Sequence, residues 1–326
     1  MESHQLVSAV IRGENPGRTP VYGWVAANLK DEIQAAYGSV EAFEDHYALD
    51  MAHISGGPAP HDWDAVGRLR DSGVEVTPEV YLDVPLNPVD NLADYAGITR
   101  ALEHHRRQRG RFCYLQTPGI FEAHNGPFLI ENHLRYLAQY PEALREVYRR
   151  AAAWNVRFAE NALDLGVDMI HVSDDWGAQN GLMFSPDMWR ELIYPHHKPL
   201  CDRVKARGAF LSLHSDGCVA PVLDGVVALG YDVVHPYQES ANMPYATYLE
   251  KYHDRFTLMG GVCVQTTLGF GDRARLESEI RRVFGLLRGK RWLCGTTHFV
   301  QNHCGMDELD FAFGLITRLA RNGGGR

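Results

Sequence analysis

The run AFLSLHSDGC, Ala209 to Cys218, starts as an apolar strand and ends in His214 and Asp216. Two residues apart on an extended segment, an imidazole and a carboxylate project to the same side, so both can face one ligand. His298, which closes the later run RWLCGTTH, supplies a third donor if the two run ends meet at one mouth. Two imidazoles, one carboxylate and open positions suit zinc as a Lewis acid, while non-haem iron or another divalent ion takes similar donors. A hydrogen-bonded Asp-Gly turn is the structural use of the same pair. Cys218 and Cys263 stand as reserve ligands should Asp216 lie too far away.

Other apolar runs also end in polar residues. DMAHIS carries His53, RFCYLQT carries Gln116, DMIHVSD is followed by Asp175 after its own Asp174, and DVVHPYQ brings His235, Tyr237 and Gln238. Gln301 and Asn302 follow His298. Asp174 and Asp175 read as the catalytic pair, able to orient a metal ligand or to donate a proton to a leaving group, or else as a turn before Trp176 and Gly177. Trp24, Trp176 and Tyr237 read as an aromatic wall, and His53, Gln116, His235, Gln238, Gln301 and Asn302 as further substrate contacts.

These residues need elements to position them. Eight β-like runs begin at Val21, Asp50, Arg111, Asp168, Ala209, Asp232, Phe256 and Arg291, separated by helical segments. The stretch from Leu137 has apolar residues at three- and four-residue spacing until Gly166 stops it. The stretch from Ser185 has Ser185 as N-cap, Pro186 at the first helical position and Gly208 as its end, with Pro195 and Pro199 placed to kink or split it. Strands alternating with helices imply a parallel sheet, and eight of them imply an α/β fold of the (β/α)8 TIM-barrel class. In such a barrel the strand ends at one face build the site, so the common position of the polar residues follows. One domain over residues 1–326 is expected, with 58–110 as an inserted excursion and 322–326 frayed.

Composition excludes several classes. With 45% apolar residues the chain can bury a core, and 41 acidic against 32 basic residues argue against nucleic-acid or anionic-membrane surfaces. The first residues lack a signal-peptide pattern, and no apolar run approaches the ~18 residues of a membrane span, so a cytoplasmic protein is expected. Six scattered cysteines without a CxxC pair fit reduced thiols.

The segments LGVDMIHVSDDWGAQNGLMFSPDMWRELIYPHHKPLCDRVKARG, LHSDGCVAPVLDGVVALGYDVVHPYQ, LMGGVCVQTTLGFGD and GTTHFVQNH through DELDFAF resemble, in order and spacing, the uroporphyrinogen decarboxylase-like superfamily. That superfamily holds the decarboxylase of haem synthesis and cobamide-dependent methyltransferases, and the resemblance implies the eight-stranded barrel. The decarboxylase branch would place an arginine-rich glycine motif after the first strand, where this chain has RTPVYGWVAANLKDE. The methyltransferase branch looks closer. Its thiol-methylating members hold zinc by a His-x-Cys pair and a later cysteine, and the matching positions here are His214, Asp216 and His298. Imidazole and carboxylate leave a metal more electrophilic than thiolates do, which suits polarising an ether, phenol or amine leaving group. The resemblance therefore implies an O-demethylase-like methyltransferase: a small methoxylated or methylamine-type methyl donor, zinc, and a corrinoid supplied by a carrier protein. A metal-free decarboxylase acting on a carboxylic acid, and a non-catalytic corrinoid or ligand sensor, are the alternatives.

Overall fold

The computed structural model describes residues 1–321; the segment 322–326, expected to fray, lies outside the described residues. Seven of the eight expected runs form strands of the α/β pattern, and the helices between them give the strand–helix order of the expected barrel class. The strands are β1 (Met51–Ile54), β2 (Phe112–Pro118) and β3 (Met169–Ser173), then a small antiparallel hairpin of β4 (Gly177–Ala178) and β5 (Gly181–Leu182), then β6 (Phe210–His214), β7 (Val233–His235), β8 (Thr257–Val262) and β9 (Trp292–Thr296).

The first expected run does not become a strand. Val21 makes a single parallel bridge to Cys294. The reason is local. Pro20 has no N–H to give, although its carbonyl accepts from Cys294 N at 2.9 Å. Gly23 lies against the Phe313 ring, where a Cβ would come within 2.6 Å. Trp24 N then turns to the Thr296 side-chain oxygen at 3.1 Å instead of a strand carbonyl.

The chain forms two compact units. One comprises Met1–His53, His105–Cys113 and the residues from Asp232 onward; the other comprises Ile54–His104 and Tyr114–Tyr231. In the first, β7, β8 and β9 run parallel, with Leu258 opposite Trp292 and Val262 opposite Thr296. In the second, β3 pairs in parallel with β2 and with β6, with Gln116 opposite His171 and Ser173 opposite His214. β3 is buried at every residue, as a strand covered on both faces must be.

Helices around this second sheet follow the expected signals with two breaks. Tyr140 interrupts the long apolar pattern, so that Ile130–Gln139 and Pro141–Leu165 are separate helices and Pro141 opens the second. Leu144, Val147, Tyr148, Ala151, Trp154 and Phe158 form its buried stripe, and Gly166 ends it at φ +102°. Ser185 Oγ accepts from Met188 N at 3.1 Å, but the helix it caps widens into a π turn over Trp189–Ile193 before Pro195, and regular helix resumes over Tyr194–Ala206. The stretch 58–110 is built of short helical pieces whose first turns are capped by the side chains of Asp62, Thr77 and Asn91. Among the described residues no helix is long and apolar enough to cross a membrane.

Candidate functional site

The register of β3 and β6 sets the site. Because Ser173 lies opposite His214, the residues that follow each strand leave the sheet at the same height, and Asp174 N continues the ladder onto the His214 carbonyl at 2.9 Å. The two loops then touch backbone to backbone. A Cβ on Gly177 would lie 2.5 Å from the Asp216 carbonyl oxygen, and Gly217 sits at φ +75° with its own Cβ position 2.5 Å from the Gly177 carbonyl carbon. Only glycine permits this approach on both sides.

The approach brings Asp175 to Asp216. The Asp216 amide donates to Asp175 Oδ1 at 2.7 Å, and His214 Nε2 lies 3.8 Å from Asp175 Oδ1 and 3.9 Å from Asp216 Oδ1. The ligand atoms of the three residues all lie within 4.8 Å of one another. Donors about 2.1 Å from a tetrahedral ion stand about 3.4 Å apart, so the set would close onto an ion by side-chain shifts of about an ångström or less. Burial, and then the Asp175 charge, pushes the Asp216 carboxyl up to about 7; Asp175 is raised chiefly by burial. Two carboxylates and an imidazole, crowded and half-buried, fit a divalent cation by the chemistry of the donor set.

A third carboxylate, Glu122, adjoins them. It follows β2 in the first turn of the helix Glu122–Phe128 and accepts from Ser173 Oγ at 2.9 Å. Burial, followed by Asp175 and Asp174, raises it to about 7. Glu122 and Asp175 open on a cavity of about 800 Å³ whose other lining includes Asn125, Leu129, Glu131 and Met183.

The expected catalytic pair is split by the fold. Asp175 reaches the cavity and the donor set. Asp174 is fully buried: Oδ1 accepts from the Glu122 amide at 2.6 Å and Oδ2 from His197 Nε2 at 2.7 Å, while Tyr231 OH donates to His197 Nδ1 at 2.7 Å. Asp174 thus anchors the helix that presents Glu122. Trp176 is buried against Trp189 and His197, with ring centroids 5.4 and 5.1 Å away. Gln116 is half-buried on β2.

The remaining expected residues lie in the other unit. There Trp24 stacks on His53 at 4.8 Å, with His235 at 4.4 Å, Phe299 at 4.8 Å and His298 at 6.1 Å. Burial lowers the His298 pKa. Tyr237 packs on Tyr248, and Gln238 donates to Gln265 Oε1 at 2.8 Å and to Ser240 Oγ at 2.7 Å. Gln301 donates to the Phe299 carbonyl at 2.8 Å, and Asn302 is exposed. Within the unit that carries His214 and Asp216, Asp175 is the group placed beside them, while His298, the third donor expected from the sequence, belongs to the other unit. Glu122 was missed, although it too follows an apolar run, IF, just beyond the third strand.

A family model described as uroporphyrinogen decarboxylase (URO-D) matches residues 128–313. No curated protein matches the chain. Among solved structures, a methyltransferase from Methanosarcina mazei is 14% identical with a TM-score of 0.72, the alignment covering 98% of this chain and 99% of that one. A xylose isomerase domain protein from Alicyclobacillus acidocaldarius is 13% identical with a TM-score of 0.48, covering 93% and 99%. A B12-independent methionine synthase from Shewanella sp. W3-18-1 is 13% identical with a TM-score of 0.46, covering 69% and 66%. At these identities the first likeness speaks for the fold, and the other two carry no argument.

Proposed function

From the premise that this chain belongs to the uroporphyrinogen decarboxylase (URO-D) family, we propose that it is a metal-dependent methyltransferase, taking the methyl group of a small methoxylated or methylamine-type substrate and passing it to a corrinoid on a carrier protein. The observation that carries the reading is the donor set Asp175, His214 and Asp216, whose ligand atoms lie within 4.8 Å of one another while Asp175 also lines the cavity. The Methanosarcina structure that shares the fold is itself a methyltransferase, which supports the class. A divalent ion bound there supplies Lewis acidity toward the oxygen or nitrogen that gives up its methyl group. Asp175 fixes the Asp216 loop through its amide, Asp174 and His197 hold the start of the Glu122 helix, and Glu122 stands at the cavity wall within reach of a bound substrate. Decarboxylation of a polyacid suits this cavity poorly, because Glu122, Glu131 and Asp175 repel carboxylates.

The test pairs metal analysis with single-turnover methyl transfer to a reduced corrinoid, using methoxylated compounds and methylamines as donors. One zinc or cobalt ion per chain is expected, lost in His214→Ala and Asp216→Ala, with transfer only in loaded protein. Full transfer after chelation overturns the metal's role. A His298→Ala variant that loses the ion with the other three donors intact would add His298 to the ligand set.

A further inference from the structure

The cavity beside Asp175 has a one-sided chemistry. Among the described residues its lining carries three carboxylates, those of Glu122, Glu131 and Asp175, two amides, those of Asn125 and Asn132, and no lysine, arginine or histidine. Two arginines touch its rim, and both are turned to other partners. Arg70 donates to the carbonyls of Gly126 and Pro127 at 2.6 and 3.0 Å, and Arg135 donates to Asn132 Oδ1 at 2.8 Å and Glu75 Oε1 at 3.4 Å.

The same lining also carries apolar side chains, and the chain that presents them is strained. Leu129 joins the helix ending at Phe128 to the one starting at Ile130 with φ +64°, a left-handed conformation that a branched side chain adopts only under strain of ~1 kcal/mol or more. That reversal leaves Leu129 57% and Ile130 42% exposed at the rim, with Met183 further along the lining. A volume of about 800 Å³ lined by both carboxylates and alkyl groups matches a small molecule that carries a charge and apolar substituents.

We propose that this cavity seats an organic ammonium group with short alkyl substituents, the charge against Glu122 and Glu131 and the alkyl groups against Leu129, Ile130 and Met183, and that it turns carboxylate-bearing molecules away. The assignment rests on the methyltransferase reading only in taking the cavity as the substrate's seat. It narrows the substrate class to cations whose methyl-bearing oxygen or neutral amine nitrogen is separate from the ammonium group, because an ammonium nitrogen has no lone pair to offer the metal. A metal held by Asp175, His214 and Asp216 cancels those two carboxylate charges and leaves Glu122 and Glu131 to face the ligand.

Three probes of one shape separate charge from fit: choline, its neutral isostere 3,3-dimethylbutan-1-ol, and the anion 3,3-dimethylbutanoate. Each is titrated calorimetrically into the full chain, zinc-loaded and chelator-treated, at low and high salt. Choline should bind about tenfold tighter than the alcohol, and the anion weakest. The advantage of choline should shrink at high salt and fall several-fold in Glu131→Gln, while the alcohol is unaffected. Asn132→Asp, which keeps an acceptor for Arg135, should tighten choline. Equal binding of choline and the alcohol, preference for the anion, or no choline binding up to about 50 mM overturns the assignment. Protein that holds zinc and transfers methyl groups without charge discrimination sinks this inference alone. Protein that discriminates by charge yet binds no metal sinks the metal-dependent reading alone.

Discussion

Glu122 and His124 stand two residues apart on the helix Glu122–Phe128, and burial acts on them in opposite ways. Two residues turn a helix by roughly 200°, so Glu122 meets the cavity while His124 enters the core. Burial lowers the pKa of His124, His61 and His133, the last to about 3. His61 and His133 are satisfied at both ring nitrogens, while His124 is satisfied at Nδ1 and keeps a buried Nε2 without a hydrogen-bond partner among the described residues. His124 Nδ1 reaches the Ile120 carbonyl at 2.7 Å, His133 pairs with Asn125 at 2.8 Å and Tyr148 at 2.6 Å, and His61 pairs with Tyr81 at 2.5 Å and the Ala123 carbonyl at 2.7 Å. The carboxylates of Glu122, Asp175 and Asp216 are raised by burial and by their acidic neighbours. Two of these imidazoles are fully paired by the fold, and burial keeps all three neutral. The carboxylates call for a proton or a cation, which is how buried ionisable groups at a functional site differ from those of a core.

Removing the imidazole donor from the carboxylate side should have the largest effect. His214→Ala is expected to weaken zinc or cobalt binding by two to three orders of magnitude, about 3–4 kcal/mol, measured by competition with a chromophoric chelator. Unchanged affinity would detach the carboxylates from any metal.

Acid tests the other side. His133 has a folded pKa of about 3 and His196 of about 4, both below the usual imidazole value of 6.5. The unfolded chain therefore takes up protons below pH 6.5 that the fold refuses, so this stability is fully present above that pH and drains away as pH falls. Because the raised carboxylates act with the opposite sign in this window, the ring is read from a difference: relative to His133→Phe, the wild type should lose up to about 3 kcal/mol in urea unfolding between pH 6.5 and 4. Parallel profiles of the two proteins over that window would mean the His133 ring is not buried neutral.

Gly177→Ala strikes the loop contact that the carboxylates need and the imidazoles do not. Its Cβ would fall 2.5 Å from the Asp216 carbonyl oxygen. A destabilisation of about 2 kcal/mol is expected, together with weaker metal binding but an unchanged slope below pH 6.5. Wild-type stability and metal affinity in this variant would contradict the close approach.

The smallest effect should come from Glu122→Gln. Its folded pKa of about 7 exceeds the ordinary 4.5, so ionising it costs the fold stability as pH rises from 4.5 to 7. Relative to wild type, the variant should gain about 1 kcal/mol on going from pH 4.5 to 7.5, an effect reduced by solvent screening. Loss of relative stability over that range would reverse the sign argued for the carboxylates.

Much of this was legible along the chain because strand ends announce themselves. Seven runs became strands, and His53, Gln116, His214 and His235 lie within them. The run at Val21 failed because its backbone ladder to the last strand stops at the bonds of Pro20 and Tyr22 with Cys294, after which Trp24 N turns to the Thr296 side chain. His214 and Asp216 could be paired from spacing alone, since i and i+2 share a side of an extended segment. Asp175 could be seen as polar but not as their partner, because its proximity depends on a different strand. The Pro58–Gly110 stretch defeated periodicity since its helices are too short to show one, although Asp62, Thr77 and Asn91 mark their starts.

By itself, the sequence determined which segments alternate between strand and helix, where glycine and proline stop them, and which side chains carry donor chemistry, because these follow from short-range stereochemistry and hydrophobic period. Only the tertiary structure decided that Ser173 stands level with His214, that two glycines let the Asp175 and Asp216 loops touch, and that Asp174 turns inward while Glu122 turns to the cavity. Register and loop contact are set by the packing of residues 41 positions apart in the chain, as between Ser173 and His214, and no local pattern encodes a distance between them.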